Sequence, residues 1–326
     1  MPDLPGGSNT SRGDFFPYHI ATVPSTLREK GMITEQLIGN LIQGLILGGI
    51  YGMATMGLSL IFGVLRVVNV GHGQFIMVGA FMALWMFNSL GVVPVIAIPF
   101  AFLLGMLLGF IFYYSCIKRL LKGPELASLL ATFSVGIILE ETIKLIFGSE
   151  FRGYNWALGK ITIPFTVLPY TKLVALSGSI IVAVLLYLWF NRTRAGTALR
   201  SVVEDSEGAR VCGINVDWQY ALSFSLGIGL TVASGVMLTM FIPVGINPYM
   251  GGQYTLKAFV IAVLGGLSSP YGAFFGGLVF GLVENGSYTL LALIPHVEPF
   301  ALTRFLSFVM LLVILLIRPT GLFRTR

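Results

Sequence analysis

Residues 219–243 read QYALSFSLGIGLTVASGVMLTMFIP, an apolar run without one charged side chain. At about 1.5 Å per residue, a helix of this length crosses the ~30 Å hydrocarbon core of a bilayer. Comparable runs recur along nearly the whole chain after Thr34, and they set its composition: 56% hydrophobic residues, 10% charged residues and a mean hydropathy of +0.87. Hydrocarbon offers no water to a backbone amide, so each N–H and C=O must be satisfied within its own segment. A β-barrel would show short alternating segments, and the sequence has none. The chain is therefore expected to be all-α, a polytopic transmembrane helical bundle of eight or nine spans with interrupted helices.

The candidate spans are Gln36–Leu65, Gln74–Leu90, Val92–Ile117, Leu126–Phe147, Lys172–Phe190, Gln219–Pro243, Tyr254–Leu267, Tyr271–Leu293 and Ala301–Ile317. The first is overlong and expected to be broken or tilted at Gly48-Gly49. The seventh is short, which leaves eight crossings or nine. Arg66, the basic run at 118–122, the arginines of 192–210 and the tail of Arg318, Arg324 and Arg326 all fall on one face. The loop-charge bias makes that face cytoplasmic. Nine spans would set the N-terminus outside and the C-terminus inside. Gly44, Gly48 and Gly52 recur every fourth residue, as do Gly272 with Gly276 and Gly277 with Gly281. Small residues at this spacing predict close helix crossings in lipid.

Residues 1–32 are polar, rich in Pro, Gly and Ser, and lack the apolar core of a signal peptide. They are expected to form a disordered tail, with Met32 an alternative start and 33–326 a single membrane domain. The net charge of +6 sits at the ends of apolar runs and implies no nucleic acid. Cys116 and Cys212 are expected to be reduced thiols without disulfide or metal roles.

One charged island interrupts the apolar pattern. Residues 191–217 hold Arg192, Arg194, Arg200, Glu204, Asp205, Glu207, Arg210 and Asp217. From Ala198 to Gly213 the spacing is helical, with Ala198, Leu199, Val202, Val203, Ser206 and Ala209 forming a small or apolar stripe. Arg200 with Glu204 and Glu207 with Arg210 are spaced as helix neighbours. Gly208 implies a bend or close contact, and Gly213 supplies the stop. Lipid-lying helices carry large anchors opposite a lysine-rich face. This segment has small residues and balanced charges instead, and it reads as a docking surface for a cytoplasmic partner.

Polar residues within the apolar runs are the other candidates. Asn69 and His72 lie in a glycine-flanked stretch that permits an interrupted helix presenting its end to a solute. The alternative has Asn69 capping the next helix and His72 bonding a carbonyl at the cytoplasmic edge. Asn247, Gly252-Gln253-Tyr254 and Ala258-Phe259 repeat the order of Asn69, Gly73-Gln74-Phe75 and Ala80-Phe81, an indication of two related halves. Lys257, an ionisable group in a span, is expected to pair with a carboxylate such as Glu284 or to snorkel outward, with structural pairing favoured over direct contact with a solute. Glu284 with Asn285 sits deep enough to line a polar path. Glu140 and Lys144 are i,i+4 neighbours near the outer end and read as a surface salt bridge. The chain has no Gly-x4-Gly-Lys-[Ser/Thr] loop, no metal-ligand spacing and no nucleophile–base pair. No catalysis and no cofactor are expected, and any ATP-driven activity requires a separate subunit.

The order of motifs resembles the branched-chain amino acid ABC transporter permeases. Asn69-Val70-Gly71-His72-Gly73-Gln74 is similar to that family's early signature, and Ala198-Leu199-Arg200, Glu204-Asp205, Ala209 and Gly213-Ile214-Asn215 to its cytoplasmic motif. Gly245-Ile246-Asn247-Pro248, Lys257-Ala258-Phe259, Val263 to Leu267 and Ser269 to Ala273 resemble its late signature, and Pro319-Thr320-Gly321-Leu322 its usual ending. The likeness runs from about Gln36 to Phe323 and is nearer the smaller permease type, related to amide and urea permeases.

The resemblance implies a multi-pass protein of a bacterial inner membrane, paired with a second related permease subunit. Two ABC ATPase subunits would dock on the cytoplasmic face, and an extracytoplasmic solute-binding protein would deliver a branched-chain amino acid or similar small polar solute. The island would be a coupling helix acting through Arg200, Glu204, Asp205, Glu207, Arg210 and Gly213, with Glu204 and Asp205 nearest the ATPase groove. Asn69, His72, Gln74, Asn247, Lys257 and Glu284 would be the translocation-path candidates. Gln74 stands where many relatives carry Glu, and Ser268 where Gly is more usual. The first removes a possible buried charge, so an amide such as urea or a small organic acid also fits. A stand-alone ion-coupled secondary transporter or channel, with Glu284, Lys257 or Glu140 in an ion relay, is the alternative.

Overall fold

The computed structural model describes residues 30–322 apart from 122, 293, 295–297 and 319–320. The tail expected to be disordered therefore lies almost wholly outside the described residues, as do Arg324 and Arg326. In chain order the helices are α1 (Lys30–Leu65), α2 (His72–Leu90), α3 (Pro94–Phe112), α4 (Lys118–Leu120), α5 (Glu125–Phe147), α6 (Tyr170–Arg192), α7 (Arg194–Glu204), α8 (Ser206–Val211), α9 (Val216–Phe241), α10 (Met250–Gly265), α11 (Pro270–Leu291) and α12 (Pro299–Ile317). A π-helical turn, Tyr113–Ile117, joins α3 to α4. Four short strands, β1 (Arg152–Gly153), β2 (Lys160–Ile163), β3 (Thr166–Pro169) and β4 (Val244–Ile246), pair antiparallel as β1 with β4 and β2 with β3.

Every apolar segment read from the sequence is a helix, but not every helix is a full crossing. Among the described residues six helices are long and apolar enough to cross a bilayer: α1, α2, α3 continued through α4, α5, α6 and α9. Helices α10 and α11 pass that test only together and turn by 113° between them, giving six crossings, or seven with the bent pair counted as one. In α12 the apolar stretch is shorter, Ala301–Ile314. The chain is a multi-pass helical membrane protein.

The expected break in the first span does not occur: α1 is one continuous helix. Its glycines serve a crossing instead. A Cβ at Gly44, Gly48 or Gly52 would stand 2.5–2.6 Å from the carbonyl oxygens of Gly281, Gly277 and Phe274 on α11. Backbone meets backbone there, as the four-residue spacing predicted, and dispersion between close main chains holds helices together where lipid removes the hydrophobic drive. Helices α3 and α9 meet likewise at Gly105 and Gly109, against Gly229 and Ser225.

These crossings expose an internal symmetry. Helix α1 packs on α11 as α9 packs on α3, α1 and α9 cross each other at Gly57 and Gly227, and α2 lies on α10. Helix α1 runs toward the end of the bundle that carries Arg66, whereas α9 runs away from it. The packing partners of the two halves thus correspond while α1 and α9 run in opposite directions, as in the inverted repeats from which many transporters are built. The short repeat around Asn69 and Asn247 falls at the starts of α2 and α10, which correspond in this pairing.

The described members of the four basic clusters, among them Arg66, Lys118, Arg200 and Arg318, gather at one end. There Lys118 meets Asp217 at 3.2 Å, Asn191 Nδ2 donates to the Tyr271 hydroxyl at 3.4 Å, and Gly63 abuts Ser268. Past α12, the Leu322 N–H donates to the Leu264 carbonyl (2.8 Å), and Gly321, in the left-handed region at φ +85°, lies against Gly266. This contact fastens the α10–α11 bend. At the opposite end the two strand pairs close over α1, α2 and α9: Gln43 Nε2 donates to Thr166, and Tyr154 shares a 2.6 Å hydrogen bond with Thr239. Lys144 pairs with Glu140 (2.9 Å), as expected, and also with Glu141 (2.8 Å), 4.4 Å from the Tyr249 ring. The core lies along α1, α2 and α9, where Met53, Phe81, Phe224 and Ile228 are fully buried; α5 and α6 turn leucines and isoleucines outward to lipid.

Candidate functional site

Three polar groupings stand out in this apolar frame. The first is where α2 begins. After α1 ends, residues 66–71 run back into the bundle without helix, and His72 ends up beside the Ala54 backbone, eleven residues or about 16 Å from the end of α1. Both Asn69 and His72 are fully buried. They are therefore not at the membrane surface, and Asn69 does not cap α2, whose first turn has no side-chain cap. Loop charge places only the ends of spans, so a chain that climbs back to mid-depth escapes it.

The non-helical backbone is satisfied by two threonines that the sequence reading did not single out. The Val70 N–H donates to Thr132 Oγ1 (3.1 Å) on α5, and the Gly73 N–H donates to Thr255 Oγ1 (2.8 Å) on α10. Gly73 lies directly on the Gly251 carbonyl, where a Cβ would overlap it. The starts of α2 and α10, the two halves of the repeat, thus touch through bare backbone. Around this contact both polar atoms of the Asn69 side chain, His72 Nε2 and Gln74 Oε1 are buried without a hydrogen-bond partner among the described residues. His72 Nδ1 lies 3.4 Å from Thr231 Oγ1 on α9. Buried polar atoms are almost always satisfied, so four together form a set of ready donors and acceptors for a polar guest. Asn247 does not join them: its Oδ1 accepts from the Tyr249 N–H (2.9 Å) and its Nδ2 donates to Gly245, building the turn into α10.

The second grouping is an ion pair across the bent helices. Lys257 Nζ on α10 lies 2.6 Å from Glu284 Oε1 on α11 and donates to the Tyr51 hydroxyl of α1 at 2.9 Å, with the Tyr51 and Tyr254 rings at 4.8 and 5.7 Å. Of the two placements expected for Lys257, the structure has the pairing with Glu284 and not the snorkelling. Glu284 Oε2 is buried and has no hydrogen-bond partner among the described residues, and the pair borders a cleft of about 80 Å³ shared with Gln253, Ser307 and Phe308. Nothing in an apolar helix marks a tyrosine such as Tyr51 as the third partner.

The third is the charged island, which is two helices rather than one. Asp205 breaks it: its Oδ1 accepts from the Glu207 N–H (3.0 Å) and caps α8, while Thr193 caps α7 and Asn215 caps α9. The break falls three residues before Gly208, whose missing Cβ leaves room for the Asp205 carboxylate. Gly213 ends the segment at φ +83°, as expected. Leu199, Val202 and Ala209 are buried, whereas Val203, also assigned to the stripe, is 46% exposed. Arg200, Glu204, Asp205, Glu207 and Arg210 all face outward. The expected Arg200–Glu204 and Glu207–Arg210 pairs are not among the ion pairs of the described residues. Arg200 donates to Asn191 and Thr197 instead, at 3.3 Å each.

A family model described as branched-chain amino acid transport system / permease component matches residues 40–315. The high-affinity branched-chain amino acid transport system permease protein LivH of Escherichia coli strain K12 is 27% identical over 306 residues, covering 86% of this chain and 94% of the relative. The corresponding protein BraD of Pseudomonas aeruginosa is 28% identical over 296 residues with the same coverage. A probable branched-chain amino acid transport permease protein LivH of Methanocaldococcus jannaschii is 26% identical over 281 residues, covering 83% and 87%.

Proposed function

The chain belongs to the permease components of branched-chain amino acid transport systems, and from that premise we propose that it is one of two permease subunits of an ATP-driven importer in a cytoplasmic membrane. It is a transport protein and not an enzyme. Its solute is a branched-chain amino acid or a similar small polar molecule. A second related permease completes the channel, two ATPase subunits supply the energy on the cytoplasmic face, and a solute-binding protein delivers the cargo from outside.

The observation that carries this reading is the seating of α7 and α8. Leu199, Val202 and Ala209 hold them on the bundle, and their acids and arginines point away from it. Only Thr193 separates α7 from α6, and Asn215 starts α9 four residues after α8 ends. A push on Glu204, Asp205, Glu207 or Arg210 is therefore passed to α6 and α9 without slack. Helix α9 touches His72 through Thr231, so the same movement reaches the contact between the starts of α2 and α10.

The solute path runs along α10. Gln253 is exposed on that helix beside the Lys257–Glu284 pair, and such groups do not face hydrocarbon at this depth; they face a partner or a wetted passage. Asn69, His72 and Gln74 lie behind them, and their unpartnered atoms become available to a solute when α2 and α10 part.

The test is co-purification from native membranes in mild detergent, comparing wild type with Glu204→Ala/Asp205→Ala. The wild type should bring down an ATPase and a second permease, and the double variant should lose the ATPase. A wild type that runs alone, or only with its own copies, overturns the reading in favour of ion-coupled transport.

A further inference from the structure

Between α1, α6 and α11 lies a groove of about 600 Å³ with no polar surface in its lining. Leu45, Ile180, Val184 and Phe275, which border it, are 40–52% exposed, so it opens sideways into the bilayer. A cavity lined only by apolar atoms stays dry. Along α1 it extends from Leu45 to Met56 and along α6 from Leu176 to Tyr187, each about 16 Å, roughly half the ~30 Å hydrocarbon thickness. That is the reach of one acyl chain.

One end of the groove changes character. Tyr187 and Tyr271 close it edge to face, with ring centroids 5.2 Å apart, at the end of the bundle where the basic clusters gather. The Tyr271 hydroxyl accepts from Asn191 Nδ2, and Asn191 Oδ1 accepts from Arg200 Nη1 (3.3 Å). Arg200 has no carboxylate within 4.0 Å among the described residues, and the exposed Arg192 and Arg194 stand next to Asn191. An apolar slot one leaflet deep thus leads into unneutralised arginines at the depth of lipid headgroups. Basic pockets between helices on the inner side select anionic lipids.

We propose that this groove binds an anionic phospholipid, with one acyl chain along α6 and the phosphate held by Arg200, Asn191 and the adjoining arginines. The lipid headgroup adds to the Arg200–Asn191–Tyr271 chain of hydrogen bonds that already links α7 to α11. It is independent of the solute path, which lies along α10.

Native mass spectrometry of the delipidated, detergent-purified complex tests it, titrating phosphatidylglycerol against phosphatidylcholine of the same chains. The wild type should retain phosphatidylglycerol about tenfold better, the worth of one to two arginine contacts at a headgroup. Arg200→Gln/Asn191→Ala should abolish that preference while leaving weak retention of both lipids. Ala183→Trp, filling the groove, should lose both. Equal retention in the wild type, or a preference that survives the Arg200 variant, overturns the proposal. So does displacement of phosphatidylglycerol by free glycerol phosphate, which would assign the site to a soluble anion. Efficient cross-linking of Val184→Cys to a second permease in native membranes would show that protein covers the groove and also overturns it.

Discussion

Removing the ammonium of Lys257 leaves Glu284 without an ion-pair partner among the described residues, its side chain only 15% exposed. Breaking one partner of a buried pair costs about 3–5 kcal/mol, and the residual access here argues for the lower end, about 3 kcal/mol. Glu284→Gln is milder. Its amide oxygen still accepts from Lys257, which also keeps the Tyr51 hydroxyl at 2.9 Å and two ring faces, so about 1 kcal/mol is expected. In Lys257→Met/Glu284→Gln no charge is left to desolvate, and stability should return to within about 1 kcal/mol of the wild type. The assay is thermal unfolding of the four proteins in one detergent, with loss of the monodisperse peak as readout. At roughly 2–4 °C per kcal/mol, Lys257→Met should lower the midpoint by roughly 10 °C and the double variant by only a few degrees. A double variant that equals the sum of the singles, or a Lys257→Met no worse than Glu284→Gln, refutes the account of a desolvated pair.

Gly48→Leu forces a side chain into the backbone of α11, with Gly277 and Leu278 main-chain atoms 2.6 and 2.9 Å from its Cβ; a cost of at least about 3 kcal/mol should abolish a monodisperse peak on size exclusion. Gly252→Leu, on the open face of α10, should purify normally and, if the path lies there, block uptake in reconstituted vesicles. Asp205→Ala should cost about 1 kcal/mol and speed amide exchange over 206–211, whereas Asp205→Asn, still a capping residue, should leave exchange near wild type and isolate the effect of charge on ATPase binding. Burial pushes the Tyr154 hydroxyl up to about 12, against its bond to Thr239. Its folded value is thus raised above that of the unfolded chain, so its contribution is complete below pH ~10 and is lost as pH climbs from there toward 12. Tyr154→Phe should flatten that alkaline fall and cost about 1 kcal/mol at neutral pH, read from unfolding midpoints between pH 8 and 12.

Hydrocarbon made most of the fold legible, because a chain with no other source of hydrogen bonds must be helical wherever it is apolar. It did not reveal which glycines break a helix and which let another approach. Gly48-Gly49 reads identically in both cases, and only the presence of Gly277 and Gly281 at matching height on α11 decides. The Lys257–Glu284 pair was legible because isolated charges at that depth are too costly to stand alone. The depth of Asn69 and His72 was not, since six non-helical residues erase the rise that locates a residue within a span. The split at Asp205 was hidden by periodicity: the stripe continues in phase on both sides of a cap, and aspartate fits either a helix surface or its start.

The contact of Leu322 with Leu264 has a bearing on how the molecule is made and handled. Residues 321–322 are synthesised after α1–α12, so the hinge between α10 and α11 waits unlatched until they too have left the ribosome. Tension applied to the chain behind residue 322, as by a bulky fusion on a short linker, pulls on that latch.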